Sequence, residues 1–266
     1  MRPDAVAPRV VVWAGGALFW VVQLTLLLVF RFPVVDTILL SLLLTVVPAL
    51  SLAQLSLIDD VVIERLPAYW GTIGTLWLLG SACWLVGTRV GGAAAVGVVL
   101  LPALPLLAWS LVLTLAGLWT IFAFRWLGRA MGVPEKPLLR QLLPRTRRER
   151  RVFAVVSVAA GLGEELAYRG YAILVLAPLL TAPGAAVLTS VVFGVLHGYQ
   201  GMLGIFRTGI MGGLLAWGFL ASGSLWPPIV AHTLIDLLAG LVLADRLLST
   251  GPSADPDGSE LRSSNS

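Results

Sequence analysis

The chain holds two histidines in 266 residues, and each lies in an apolar stretch with a polar or aromatic partner four positions away. His197 closes the run Phe193-Gly-Val-Leu-His197, and His232 opens His232-Thr-Leu-Ile-Asp236. A third apolar stretch carries Glu164, Glu165 and Arg169. Acids, imidazoles and a guanidinium inside hydrocarbon are costly, so they mark a functional site by default. Together the six can activate a water, stabilise an oxyanion or hold a metal ion.

The elements that must position them are transmembrane helices. Hydrophobic residues make up 58% of the chain and charged residues 12%, and the mean hydropathy is +0.92. A soluble domain is ordinarily ~25% charged. The apolar residues fall in long runs, and a span needs ~20 of them. The expected fold is therefore all-α: a polytopic membrane protein of about eight transmembrane helices, with the site in a C-terminal four-helix core. The spans are read at about 10–30, 34–58 (with Pro48 as a kink), 66–86, a fourth ending near Trp126, a fifth from Val152, then 184–197, 203–221 and 225–244. Asp59, Asp60, Glu64 and Arg65 form a polar break, and Pro178, Pro183, Gly223, Pro227 and Pro228 punctuate the later turns. The run from Val10 to Phe30 reads as a retained first helix rather than a signal peptide, because no small-residue cleavage site follows it.

The strongest boundary lies between Arg125 and Arg151. Nine basic residues stand there against Glu135 and Glu149. The net charge of +4 arises from such flanking clusters, which argues against nucleic acid as a partner and for a bilayer. The expected organisation is N-terminal membrane helices over 1–127, a basic cytoplasmic loop over 128–151, a catalytic core over 152–247 and a disordered polar tail over 248–266. Basic residues gather on the side shared by both termini, which is therefore expected to be cytoplasmic, in what reads as a bacterial cell membrane. Cys83 is alone and reads as a small buried hydrophobe.

Each motif has a plain reading. Glu165 and Arg169, four apart, share a helix face and suit a structural ion pair. Glu164 then points about 100° away and is left unmatched. A carboxylate in such a dry site is suited to taking a proton from water. His197 alone reads as a structural hydrogen bonder, and His232 with Asp236 as a helix-stabilising contact. The weight comes from their sum. Three helices that each turn a polar face inward bury those faces best against one another. Glycines 161, 163, 170, 194, 198 and 201 cluster around the motifs and favour close helix packing.

The order Glu164-Glu165-x-x-x-Arg169, Phe193-x-x-x-His197, His232-x-x-x-Asp236 resembles the CPBP family: the type II CAAX prenyl endopeptidases and the bacteriocin-processing and immunity proteins, also called Abi intramembrane proteases. The resemblance covers about residues 150–245. It implies an intramembrane endopeptidase that hydrolyses a peptide bond in a membrane-associated peptide or protein. Glu164 would be the general base, acting with His197 on the attacking water. His232 and Asp236 would orient the carbonyl and stabilise the oxyanion, and Glu165 and Arg169 would hold their helix in place. Two positions depart from the pattern. Asp236 stands where the prenyl endopeptidases carry Asn, and an ionised Asp cannot donate a hydrogen bond. Tyr168 stands where Phe is usual.

The resemblance allows a metalloprotease or a glutamate-activated water. Zinc, if used, would take Glu164, His197, His232 and Asp236, although the His-Glu-x-x-His helix is absent; direct glutamate chemistry is the preferred expectation. Two other functions remain open at this level: an inactive scaffold or immunity protein of the same fold, and a transporter with a buried proton relay.

Overall fold

The computed structural model describes residues 8–58, 63–133 and 136–244. The tail expected over 248–266, the polar break at Asp59 and Asp60, and Arg2, Glu135 and Arg246 lie outside them. The described residues are helical, with no strand among them.

Six helical stretches are long and apolar enough to cross a membrane, where the sequence led us to expect about eight. We label α1 (Pro8–Val29), α2 (Val34–Gln54), α3 (Arg65–Gly87) and α4 (Ala103–Ala130). The fifth stretch, Arg147–Leu196, is 50 residues long and holds two of the expected segments. A straight helix of that length would run ~75 Å, over twice the ~30 Å hydrocarbon core. It does not run straight. Thr181, between Pro178 and Pro183, has φ 64 and ψ 162, a conformation outside the helical region. The guanidinium of Arg169 sits 4.5 Å over the ring of Phe193, so the chain folds back on itself. We label the stretch α5 (Arg147–Glu165), the wide π-helical turn that continues it (Leu166–Ala172) and α6 (Ile173–Leu196), which contains the reversal at Thr181. The last candidate span is α7 (Met202–Ser222), and α8 (Trp226–Leu237) continues through a π-helical turn to Val242 as a shorter apolar helix of 17 residues.

Local chemistry explains the ends. Thr146 and Glu149 form a reciprocal capping box at the start of α5: the Thr146 hydroxyl accepts from the Glu149 N–H at 3.1 Å, and Glu149 accepts from the Thr146 N–H at 2.9 Å. Leu42–Val46 forms a π-helical turn immediately ahead of Pro48, so the ladder widens just before the residue that lacks an N–H. Trp13, Leu78, Leu104, Trp119 and Trp126 are each more than two-thirds exposed. This apolar exterior suits lipid rather than water.

α5 is central. It packs on α3 and α8, while α6 packs on α7, and α8 also packs on α4. The packing is close because glycines allow it. A Cβ on Gly163 would stand 2.7 Å from the Leu76 carbonyl oxygen, and one on Gly161 would stand 2.2 Å from the Thr233 hydroxyl. Close packing was the expected reading of these glycines.

One ion pair, between an exposed arginine and a buried aspartate, escaped the sequence reading. Arg89, just beyond α3, donates to both carboxylate oxygens of Asp36 on α2, at 2.9 Å for Oδ1. The Tyr171 hydroxyl donates to Asp36 Oδ1 at 3.1 Å. This cluster fastens the N-terminal helices to the π-helical turn that carries Arg169.

Candidate active site

All six residues singled out by the sequence meet between α5, α6 and α8. Glu165 and Arg169 are completely buried. Arg169 Nη1 donates to Glu165 Oε1 at 2.7 Å, and its Nη2 donates to the Gly212 carbonyl on α7 at 3.1 Å. Phe193 stacks beneath the guanidinium. The expected ion pair is therefore present, and it bridges three helices rather than one.

Glu165 Oε1 has a second donor. His232 Nδ1 lies 2.7 Å from it, across from α8 to α5. An ionised carboxylate only accepts, so Nδ1 carries the hydrogen. His232 Nε2 then faces the other two acids, 3.8 Å from Glu164 Oε2 and 3.8 Å from Asp236 Oδ2.

His197 caps the end of α6. Its Nδ1 is 2.8 Å from the Phe193 carbonyl oxygen. A carbonyl cannot donate, so Nδ1 is the protonated nitrogen, and a neutral imidazole then presents a lone pair at Nε2. The Phe193 ring lies between the two imidazoles, its centroid 4.7 Å from that of His197 and 6.2 Å from that of His232.

Glu164, His197, His232 and Asp236 line one cavity of about 370 Å³. Glu165 and Arg169 are not among its lining residues; they stand behind it. The cavity extends beyond the motifs to Tyr199, Gln200, Arg207 and Thr208, and to Leu139, Leu142 and Leu143 of the basic linker. The Tyr69 hydroxyl donates to the Leu142 carbonyl at 2.5 Å and so holds that linker against α3. Sequence reasoning missed Tyr199 and Gln200, which are uncharged and lie outside the apolar spans. Their only signal was position, two and three residues past His197.

Among the described residues, no group of three or more His, Cys, Asp or Glu side chains is placed to hold a metal ion. His197 Nδ1 is engaged by the Phe193 carbonyl, and His232 Nδ1 by Glu165. These bonds leave Nε2 of each imidazole open, an orientation that a metal-ligating histidine also adopts, and no step below is routed through a metal.

A helical membrane bundle with carboxylates and imidazoles around one cavity defines a class: an integral membrane protein with a candidate hydrolytic site. The comparison with family models is more specific. Residues 148–238, about a third of the chain, match the model described as type II CAAX prenyl endopeptidase Rce1-like. This segment is similar to that protease family, in line with the resemblance that the three motifs suggested. No curated protein matches the chain. No solved structure matches it either.

Proposed function

We propose that this protein is an intramembrane endopeptidase that cleaves a membrane-associated peptide or protein by means of a water activated directly by Glu164 and His197. The observation that carries this reading is that Glu164, His197, His232 and Asp236 all line one cavity within the segment matched to a protease family.

The Glu164 carboxylate takes one proton from the water, while the Nε2 lone pair of His197 accepts a hydrogen bond from its other hydrogen. The water oxygen bonds to the scissile carbonyl carbon, and the carbonyl π pair moves onto oxygen. The tetrahedral intermediate collapses, the C–N bond breaks, and Glu164 returns its proton to the leaving amine. Atoms balance as hydrolysis by one water. His232 borders the reacting carbonyl. Glu165 and Arg169 are positioning residues: Glu165 fixes which nitrogen of His232 bears hydrogen, and Arg169 fixes Glu165.

The basic linker and both termini are assigned to the cytoplasmic face of a bacterial membrane on the distribution of arginines. On this assignment residues 128–151 form the cytoplasmic loop, 152–247 the catalytic core and 248–266 a polar tail. The cavity reaches Leu139, Leu142 and Leu143 of that linker, which supports cleavage near the cytoplasmic boundary.

The test is cleavage of a quenched-fluorescent peptide library, farnesylated members included, by purified protein in detergent. Wild type cleaves at least one member and Glu164→Ala cleaves none. Silence of both proteins across the library would favour the alternative, an inactive scaffold or immunity protein of the same fold.

A further inference from the structure

Hydrolysis of an amide needs hydrogen-bond donors where the oxyanion forms. Among the motif residues the one open candidate is His232 Nε2, which carries a hydrogen only when that imidazole is protonated and then faces Glu164 and Asp236 at 3.8 Å each. Glu164 and Asp236 accept when ionised. The Nδ1 hydrogens of both imidazoles are already committed, to Glu165 and to the Phe193 carbonyl. Asp236 stands where the resemblance implies an Asn, and an ionised carboxylate supplies no donor. The cavity wall does contain a neutral donor, the hydroxyl of Tyr199.

The hydrogen bonds around that hydroxyl fix its orientation. Arg207 Nη2 donates to Gln200 Oε1 at 2.8 Å, and the Thr208 hydroxyl donates to the same oxygen at 3.3 Å. Two donors on one atom establish that atom as the amide oxygen and settle which way the Gln200 amide points. Gln200 Nε2 therefore faces Tyr199 and donates to its hydroxyl oxygen at 3.2 Å. The phenol's acceptor role is thus filled, and among the described residues nothing accepts its hydrogen. Tyr199 stands beside His197, with ring centroids 5.8 Å apart. It lies in the turn between α6 and α7, and burial pushes its phenol up to about 12. It therefore keeps its proton at any pH near neutral.

We propose that Tyr199 is a catalytic donor of this site, its hydroxyl hydrogen-bonding the oxyanion of the tetrahedral intermediate, with Gln200 and Arg207 as the positioning residues that aim it. The proposal rests on the hydrolytic reading above. It supplies the donor that Asp236 does not.

The experiment is steady-state kinetics of the purified full chain in detergent on a peptide that the wild type cleaves, comparing Tyr199→Phe and Gln200→Leu. Loss of one oxyanion donor costs about 10²- to 10³-fold in kcat. Tyr199→Phe should fall by that amount with KM little changed, and Gln200→Leu should fall less. A kcat for Tyr199→Phe within about threefold of wild type overturns the proposal and leaves the hydrolytic reading intact, since that is well below the loss of one donor. A wild type that cleaves nothing sinks the reading and the proposal together. Peptide binding to Glu164→Gln and to Glu164→Gln/Tyr199→Phe guards against misfolding. Equal affinities are expected, and loss of binding in the double variant would make Tyr199 a structural residue and overturn its catalytic role.

Discussion

His232 donates its Nδ1 hydrogen to Glu165 across the boundary between α8 and α5, at 2.7 Å. Glu165 takes a second hydrogen bond at the same oxygen from Arg169, also at 2.7 Å. One fully buried carboxylate thus fixes an imidazole on one side and a guanidinium on the other. The cavity-lining groups are aimed by residues that do not touch the cavity.

That arrangement makes Arg169 structurally indispensable. Its side chain is 1% exposed, and the Glu165 side chain is fully buried. Removing one partner of a buried pair strands the other charge and costs ~3–5 kcal/mol. Arg169→Ala should lower stability by that order in denaturant titration of the detergent-solubilised protein. A change under ~1 kcal/mol, the range typical of exposed pairs, would show that the pair does not carry the fold.

At Gly163 α5 approaches α3 closely, and an added Cβ would meet the Leu76 carbonyl oxygen at 2.7 Å. Backbone has no rotamer with which to yield. Gly163→Ala should therefore destabilise by ~1–3 kcal/mol, as overpacking does. It should also reduce cleavage, because α5 carries Glu164. Unchanged thermal stability would refute the close approach.

The proposed activation of water by Glu164 gives an expectation about metals. If Glu164 acts directly, prolonged treatment with a chelator should leave cleavage unchanged. Loss of activity that added zinc restores would contradict direct glutamate chemistry.

Asp236 stands 3.8 Å from His232 Nε2 through Oδ2, and its side chain is 38% exposed. Asp236→Asn keeps the shape and gains a donor, so it should retain cleavage to within about tenfold, roughly the 1.4 kcal/mol of a single hydrogen bond. Asp236→Leu should lose substantially more. If Asn proves as damaging as Leu, the charge of Asp236 is required and the proposed division of roles is wrong.

Much of this was legible in the chain. The apolar runs and the three polar motifs announced a helical membrane protein, and four-residue spacings placed Glu165 with Arg169 and His232 with Asp236 on shared faces. The span count was less readable. Pro178 and Pro183 signal a break, but only the positive φ of Thr181 shows that the chain reverses within α6 so that Phe193 covers Arg169. The Asp36–Arg89 pair joins residues 53 positions apart, beyond the reach of any local pattern. The bond from His232 to Glu165, rather than to its helical neighbour Asp236, likewise depends on packing between helices. Tyr199 and Gln200 carry no charge and sit in a turn, so their role emerges only from the hydrogen bonds that converge on them.

The most direct test of the central claim is the turnover of a cleavable peptide by Glu164→Gln. This substitution keeps size and polarity while removing the base. We predict that peptide affinity persists and that cleavage falls below detection, with wild type active in the same detergent. Cleavage by Glu164→Gln at a rate near that of wild type would show that Glu164 does not activate the water, and the proposed mechanism would fail.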